Sequence, residues 1–271
     1  NLKDEFLRVV KEIRGNKPLV LHIANKVTAE NCADITLAAG GSPMMIDEIV
    51  EADSIVPNVD AVVLNIGTLN ERQKSLMLKV AEVANREQVP VVLDPVGVMA
   101  SKYRLEFCLE LLRKGYIDIV KGNLSECGAL VSGLAESRGI DNTLNLEKDY
   151  VLRIAKKGAK EFGAVFAVTG AVDYITDGSR AVVLNSGNPL LTDITGSGCM
   201  VSALVGACAG VTEDYFVAAA LGVVIMCQSA ELSANFLEKK DGPGMFKARL
   251  TDAVYHVTTK FDVLSLQSNH D

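Results

Sequence analysis

The chain has 271 residues, 49% hydrophobic and 23% charged, and this composition excludes a disordered protein because it supplies enough apolar surface for a large core. Its net charge is −7 and its lysines and arginines are scattered, which excludes the basic stripe of a nucleic-acid-binding protein. Without a Pro/Ser-rich linker, residues 1–271 are expected to form a single domain.

The first fifteen residues, NLKDEFLRVVKEIRG, predict an amphipathic helix. Leu2, Phe6, Val10 and Ile13 recur at helical spacing between charged residues, a pattern that differs from a secretory signal. The most apolar run, residues 217–227, is shorter than the ~20 residues that span a bilayer. We therefore expect a cytoplasmic protein that does not enter a membrane.

Short apolar, β-branched runs then alternate with longer helical patterns. This alternation is typical of parallel strands joined by helices, and strands buried on both faces are continuously apolar. The predicted strands are LVLHI (19–23), AVVLNIG (61–67), VPVVLDPVG (89–97), IDIVKGN (117–123) and AVFAVTG (164–170). Asp177-Gly178 predicts a hairpin of two further, antiparallel strands, and helices follow from Gly196 to a last helix after GPGMF (242–246).

The sequence thus predicts an α/β fold, with a central, mostly parallel sheet flanked by helices on both faces. Four predicted strands lead into polar or glycine residues, at positions 65–68, 94–97, 121–123 and 169–170. In open α/β sheets, ligands bind beyond the carboxyl ends of the strands. We expect the functional residues at that edge.

The turn Thr195-Gly196-Ser197-Gly198 is the strongest local feature. It precedes a small-residue helix, whose unpaired N–H groups and positive dipole end attract anionic oxygen. Glycine allows close approach to such a ligand, but it equally suits a tight turn packed against a neighbour. The turn alone leaves both interpretations open.

Several single residues are similarly ambiguous. Asp94 ends a predicted strand and either serves a function or caps the next segment. Asn123 and Glu126 have a spacing that can hold hydrated Mg²⁺, although a helix N-cap with Glu126 at position N3 is the simpler interpretation. Lys121 either binds phosphate or is a solvated loop lysine, and Thr169 either contacts phosphate or bonds locally to the backbone.

The six cysteines form no C-x-x-C pair, so a zinc site is not expected. Five of them are predicted to be small buried apolar residues. Cys199 differs because it lies in the first turn of the helix after Gly198, where we expect the helix dipole to lower the pKa of its thiol. No Walker A motif and no G-x-G-x-x-G after the first strand are present.

The order of eight sequence blocks resembles the hydroxyethylthiazole kinases of thiamine salvage, from about residue 18 to residue 260. The blocks are ANKV (24–27), AAGGSPMM (38–45), VVLNIGTL (62–69), VVLDPVG (91–97), KGNLSE (121–126), VTGAVD (168–173), TGSGCMVSA (195–203) and GPGMF (242–246). The resemblance implies a ribokinase-like fold and transfer of the ATP γ-phosphoryl group, with Mg²⁺, to the primary alcohol of 4-methyl-5-(2-hydroxyethyl)thiazole. It also implies a homotrimer with active sites at subunit interfaces.

The resemblance assigns roles by position. The implied substrate-binding residues are Asn25, Met45 and Gly196, and the implied catalytic residues are Gly196, Gly198 and Cys199, with Cys199 beside the attacking hydroxyl. The implied ATP-binding residues are Lys121 and Thr169. The implied acidic residues near Mg²⁺ are Asp94 and Glu126.

The sequence departs from the family pattern at two places that bear on function. Position 121 is usually arginine, and lysine keeps the charge without bidentate phosphate geometry. Residues 30–34, ENCAD, replace the family's Asn-Phe-Thr-Ala-Asn block near the substrate. The alternatives are therefore a kinase for another small alcohol, such as hydroxymethylpyrimidine or a sugar, a nucleotide-dependent dehydratase of hydrated NAD(P)H, or a nucleotide-binding regulator.

Overall fold

The computed structural model describes residues 1–133 and 148–260, and the strands of this part of the chain form one sheet. The spatial order is β2-β1-β3-β4-β5-β6-β7-β8. Strands β1 to β6 all run parallel to one another, whereas β7 and β8 are antiparallel to their neighbours. The strands are β1 (Leu19–Ile23), β2 (Ser42–Met45), β3 (Ala61–Asn65), β4 (Val91–Asp94), β5 (Ile119–Asn123), β6 (Val165–Thr169), β7 (Asp173–Thr176) and β8 (Ala181–Leu184).

Helices cover both faces of the sheet, as predicted, because successive strand residues point into two separate cores. In β3, Ala61 and Val63 pack into one core, and Val62 and Leu64 pack into the other. Helices α1, α2, α8, α9 and α10 cover the first core, and α3 to α7 cover the second. The helices are α1 (Leu2–Asn16), α2 (Ala29–Ala39), α3 (Ala52–Ile55), α4 (Glu71–Glu87), α5 (Lys102–Arg113), α6 (Leu124–Ser132), α7 (Lys148–Phe162), α8 (Ser197–Ala209), α9 (Tyr215–Asn235) and α10 (Pro243–Thr259).

The five predicted parallel strands, the hairpin and the terminal helices α1 and α10 are all present. The prediction missed β2, whose residues SPMM lie at the edge of the sheet. An edge strand tolerates proline and needs no continuous apolar run, so β2 carries none of the signal that marks β1 and β3.

Helix α9 is longer than the apolar run 217–227 that the sequence analysis judged too short to span a bilayer. The helix has 21 residues and a mean hydropathy of 1.7, and it is the one helix among residues 1–133 and 148–260 that is long and apolar enough to cross a bilayer. However, 83% of its apolar window is buried inside the fold, where α9 packs against α8, α10 and β6. Its burial in a globular core accounts for its composition.

Close packing of small residues sets the position of α8. A Cβ atom on Gly206 would lie 2.5 Å from Cγ2 of Val63 in β3, and a Cβ on Gly222 of α9 would lie 2.7 Å from the backbone nitrogen of Val205. Glycine at both positions lets α8 lie directly on the sheet and beneath α9. The N-terminus of α8 is thereby fixed at the carboxyl ends of the strands.

His22 of β1 is the most deeply buried of the described histidines. Its Nε2 lies 3.2 Å from Oγ1 of Thr36, and that hydroxyl donates its own hydrogen to the Cys32 carbonyl, so Nε2 is the donor to Thr36. Burial lowers the pKa of His22 to about 4. The folded protein therefore holds this imidazole neutral, whereas the unfolded chain protonates it near pH 6.5.

We predict that His22 contributes a decrease in the free energy of unfolding as pH falls from 6.5 to 4, because over this window the unfolded chain binds the His22 proton and the folded chain does not. The buried carboxyls of Asp94 and Asp173, whose pKa is raised to about 6, contribute in the opposite direction, so the His22 component is measured as a difference between variants. The His22 contribution is about 1.4 kcal/mol per pH unit. The variant His22→Gln keeps a donor to Thr36 and should lack this component of the slope in denaturant titrations at several pH values.

The matched control is His256→Gln, which changes an exposed histidine of α10 and should keep the wild-type slope. Buried carboxylates are common to all three proteins, so their titration cancels in the comparison. An unchanged slope in His22→Gln would show that His22 does not titrate differently in the folded and unfolded chains.

Candidate active site

A cavity of about 810 Å³ opens at the carboxyl ends of the parallel strands, where the N-terminus of α8 meets them. Seven of the nine residues that the sequence singles out line this cavity: Asp94, Lys121, Glu126, Thr169, Gly196, Gly198 and Cys199. The strand ends and the helix thus bring together groups that are up to 105 positions apart, from Asp94 to Cys199.

Asp94 is fully buried at the end of β4 and is held by three donors on one oxygen. Its Oδ2 lies 2.7 Å from Oγ of Ser202, 3.2 Å from Nδ2 of Asn65 and 3.2 Å from Nζ of Lys121. Its Oδ1 is also buried and has no hydrogen-bond partner in the described chain. Burial raises the pKa of Asp94 to about 6, and the attraction of Lys121 opposes that rise.

Lys121 of β5 is 3% exposed, so the interpretation of a solvated loop lysine is wrong. Burial by itself would lower the pKa of its ammonium, but the negative charges of Asp94 and Glu126 outweigh burial and raise it. The ammonium also lies against the first turn of α8, because a Cβ on Gly198 would be only 3.3 Å from Nζ. Gly198 therefore leaves room for a positive charge at the helix start.

The turn before α8 combines the two interpretations that the sequence left open. Gly196 is the N-cap residue with φ +87°, and a Cβ there would lie 2.8 Å from Cγ2 of Thr28. The turn is therefore tightly packed on one side. Gly196, Ser197 and Gly198 line the cavity on the other side, and no side chain of the described residues caps the helix. Its N–H groups remain available to an anion.

The prediction that the thiol pKa of Cys199 is lowered is wrong. Burial raises the pKa of its thiol, and the nearby Asp94 carboxylate raises it further. The sulfur therefore stays protonated at neutral pH. Its Sγ lies 3.1 Å from Nδ2 of Asn65 and 3.5 Å from Nδ2 of Asn25, which both donate toward it.

Asn123 and Glu126 form the helix cap that the sequence favoured. The Asn123 side chain accepts from the Glu126 N–H (2.8 Å), and Glu126 Oε2 accepts from the Asn123 N–H (2.9 Å) at the start of α6. The other oxygen, Oε1, accepts from the N–H of Gly97 (3.1 Å). Glu126 thus joins the loop after β4 to α6 while it lines the cavity.

Thr169 ends β6 and lines the cavity, and its Oγ1 donates to the Gly122 carbonyl over a long distance of 3.4 Å. The next residue, Gly170, donates its N–H to Oδ1 of Asp173 (3.0 Å). Burial raises the pKa of Asp173 to about 6. Asp173 therefore orders the short loop that carries Thr169 and Gly170.

The two remaining predicted residues do not line the cavity. Asn25 is buried beside it, where its Nδ2 donates to Oδ1 of Asn65 (2.9 Å) and its Oδ1 accepts from the Val27 and Thr28 N–H groups. Met45 ends the edge strand β2 and is 40% exposed. The structure thus places Asn25 in the network behind Cys199 and leaves Met45 at the surface.

Sequence reasoning missed Asn65 and Ser202, which hold Asp94 in place. Asn65 carried a usable signal, because a polar residue ends the buried run AVVLN just as Asp94 ends VVLD, and the two are paired in register. Ser202 lies in an apolar helix and carried none. Only the packing of α8 on the sheet brings its hydroxyl to the carboxylate.

The site combines a buried cation, an uncapped helix N-terminus and a carboxylate with an unpaired oxygen around one cavity. A cation and helix N–H groups stabilise phosphate oxygens, and a carboxylate suits the metal ion that accompanies nucleotide phosphates. Among the described residues, no cluster of three or more His, Cys, Asp or Glu side chains could hold a metal by itself. The fold and this site define a ribokinase-like phosphotransferase.

Comparison with known proteins specifies the family. The family model described as "Hydroxyethylthiazole kinase family" matches residues 10–260. A hydroxyethylthiazole kinase of Ruminiclostridium cellulolyticum is 40% identical over 251 residues, which are 92% of each chain. The chain therefore belongs to the hydroxyethylthiazole kinase family.

Solved structures agree with this assignment. The structure of a hydroxyethylthiazole kinase from Pyrococcus horikoshii has a TM-score of 0.84 and 35% identity, and the match covers 96% of this chain and 97% of that one. An ADP/ATP-dependent NAD(P)H-hydrate dehydratase of Bacillus subtilis, crystallised with ATP and Mg²⁺, has a TM-score of 0.62 and 14% identity, with 92% and 91% covered. The second likeness shows the shared fold alone.

We predict that Gly196→Val lowers kcat/KM by at least about 10²-fold, the usual cost of losing one donor to a reacting oxygen. Valine is strained at a positive φ and would push its side chain into Thr28, which displaces the N–H groups at the start of α8. Steady-state kinetics and circular dichroism measure activity and folding. Gly15→Ala, at a helical position with open space, is the control.

A Gly196→Val enzyme with near-wild-type kcat/KM would show that the turn does not serve the reaction. A variant that fails to fold is replaced by Gly198→Ala, whose added methyl meets only the Lys121 ammonium at 3.3 Å. This smaller change should lower activity while leaving the circular dichroism spectrum unchanged.

Proposed function

We propose that the chain transfers the γ-phosphoryl group of ATP to the primary alcohol of 4-methyl-5-(2-hydroxyethyl)thiazole in thiamine salvage. The observation that carries the proposal is the buried Lys121–Asp94 pair beneath the N-terminus of α8, in a chain that matches the family over residues 10–260. The proposal follows the activity named for the relatives and assigns it to this cavity.

Phosphoryl transfer passes through a loose transition state, so positioning and charge neutralisation supply most of the catalysis. In this chain, the Lys121 ammonium and the N–H groups after Gly196 would neutralise phosphate oxygens from one wall of the cavity. Thr169, whose hydroxyl makes a long local contact with the Gly122 carbonyl, would bind phosphate from the end of the neighbouring strand β6. The cavity volume of about 810 Å³ is sufficient for a nucleotide and a small alcohol.

The residues present fit an Mg²⁺ ion. Asp94 presents a buried oxygen without a hydrogen-bond partner in the described chain, and Glu126 and Asn123 line the same cavity. Mg²⁺ needs only one or two carboxylates because it keeps waters and binds substrate phosphates. When bound, it would neutralise charge on those phosphates. Asp94 would hold it, while Glu126, whose two oxygens already accept backbone N–H groups, would contribute mainly its charge.

Cys199 would orient the attacking alcohol as a neutral thiol. Two asparagine amides donate toward its sulfur, which leaves the S–H group free to point toward the cavity. A thiol held in this way would donate its S–H to the hydroxyl oxygen of the alcohol and so fix the direction in which that hydroxyl points. Because the loose transition state demands little base strength, the raised pKa of the thiol does not prevent this role.

The proposed homotrimer would explain why Met45 lies outside the cavity. Met45 is one of a group of five exposed apolar side chains that lie in β2, in α2 and in the segments that follow β1 and β2, with Val50 80% exposed. The group consists of Val27, Leu37, Met45, Ile49 and Val50. Burial of such a group in a subunit interface is favourable, and it would complete the thiazole site that Met45 and Asn25 are predicted to serve.

The divergent residues 30–34 lie in the first turns of α2, next to the reactive turn. A Cβ on Gly196 would be 3.3 Å from Nδ2 of Asn31, and Cys32 is buried in the core. The block therefore shapes the acceptor side, but the family match does not favour the other small alcohols or the dehydratase.

We further propose a single domain over residues 1–271, a cytoplasmic location, and no nucleic acid or membrane partner.

We predict that the protein consumes ATP with the thiazole alcohol as acceptor, at least ten times faster than with hydroxymethylpyrimidine, about the discrimination that pocket contacts provide. A coupled ADP-release assay measures both rates. EDTA should stop turnover, and added Mg²⁺ should restore it. Faster turnover of hydroxymethylpyrimidine would contradict the thiazole assignment, and turnover in metal-free buffer would exclude the metal roles of Asp94 and Glu126.

We also predict that Cys199→Asp remains active, because a carboxylate can orient the hydroxyl, and the Lys121 charge and the Asn65 amide would partly offset its repulsion by Asp94. The measurement is kcat at saturating ATP, with Cys199→Ala as the comparison that removes the polar group. Complete loss in a folded Cys199→Asp protein would instead indicate a mechanism that requires sulfur.

A further inference from the structure

One arginine outside the cavity ties together the two loops that carry the site. Nη1 of Arg104 donates to the carbonyls of Ile66 (2.8 Å) and Val96 (2.9 Å), and Nη2 donates to the carbonyl of Gly67 (3.0 Å). Ile66 and Gly67 follow β3, whereas Val96 follows β4. A single guanidinium therefore spans the carboxyl ends of both strands.

Both loops adjoin or contact residues of the site. The residue before Ile66 is Asn65, whose amide donates to Asp94 and to the sulfur of Cys199. The N–H of Gly67 donates to Oδ1 of Asn65 (3.0 Å), so this loop also fixes the orientation of the Asn65 amide.

The second loop acts on the two carboxylates. Val96 lies two residues after Asp94, and the next residue, Gly97, donates its N–H to Oε1 of Glu126. Any displacement of the Val96 carbonyl is therefore transmitted to both acidic residues of the cavity. Arg104 does not itself line the cavity.

The location of Arg104 argues against a simple contribution to helix stability. It lies in the first turn of α5, after the N-cap Ser101, where the helix dipole disfavours a positive charge. Three carbonyl acceptors compensate for that location. A planar guanidinium with several fixed donors can reach two loops at once, whereas a lysine ammonium is a point charge.

We infer that Arg104 is a positioning residue, which holds Asn65, Asp94 and Glu126 in the geometry required for phosphoryl transfer. The inference rests on the proposed kinase activity. Arg104 is not proposed to bind substrate, and its effect reaches the reacting atoms only through the two loops. A misplacement of catalytic groups by about 1 Å can lower turnover by about 10²-fold.

The test compares Arg104→Ala, Arg104→Lys and the control Arg113→Ala, an exposed arginine at the end of the same helix. We expect kcat with the thiazole alcohol to fall about 10²-fold in Arg104→Ala and to recover only partly in Arg104→Lys. Arg113→Ala should match the wild type. Low, non-denaturing concentrations of guanidinium should restore part of the kcat of Arg104→Ala, whereas sodium chloride at the same ionic strength should not.

Chemical rescue separates positioning from general stabilisation, because guanidinium can refill the vacated site but, as a denaturant, does not otherwise stabilise the folded protein. Wild-type kcat in Arg104→Ala, or a lowered kcat that guanidinium leaves unchanged in a protein with native circular dichroism, would overturn the inference. If Arg104→Ala does not fold, the test uses Arg104→Lys. A wild-type kcat in Arg104→Lys contradicts the inference, and a reduced kcat with an unchanged melting temperature of that variant supports it. Failure of the proposed function is distinct, since the wild type and Arg113→Ala would then also lack thiazole kinase activity.

Discussion

The buried ion pair between Lys121 and Asp94 is the constraint on which the site depends. Two charges removed from water are costly unless each finds a partner, and here the 3.2 Å contact is reinforced by donors from Ser202 and Asn65. The two residues lie on neighbouring strands, so the sheet itself holds them together. The first turn of α8 passes so close to the ammonium that a Cβ at position 198 would lie 3.3 Å from Nζ of Lys121.

This arrangement joins the fold to the chemistry. Small residues let α8 lie directly on β3, and that contact aims the helix N-terminus at the cation and at the cavity. The groups proposed to neutralise phosphate are therefore supplied by rigid elements, which would reduce the reorganisation required in the reaction. The proposed acceptor residue Met45 differs, since it is exposed on the edge strand β2.

Much of the fold and several site residues were predictable, and the errors have physical causes. Strands buried on both faces produce long apolar runs, so β1 and β3 to β6 were found, whereas the edge strand β2 was not. The cap formed by Asn123 and Glu126 was predicted because it depends on residues three positions apart. The thiol pKa of Cys199 was predicted in the wrong direction, because burial and the Asp94 charge are invisible in its local sequence.

By itself, the sequence determined the layered α/β architecture, the helix start after Gly196 and the family resemblance, because each depends on short-range pattern or on blocks in order. The tertiary structure alone decided that Lys121 is buried against Asp94, that Ser202 serves that carboxylate, and that Arg104 spans two loops. These contacts join residues from different strands and helices. Their distances and electrostatics exist only once the sheet has brought those elements together.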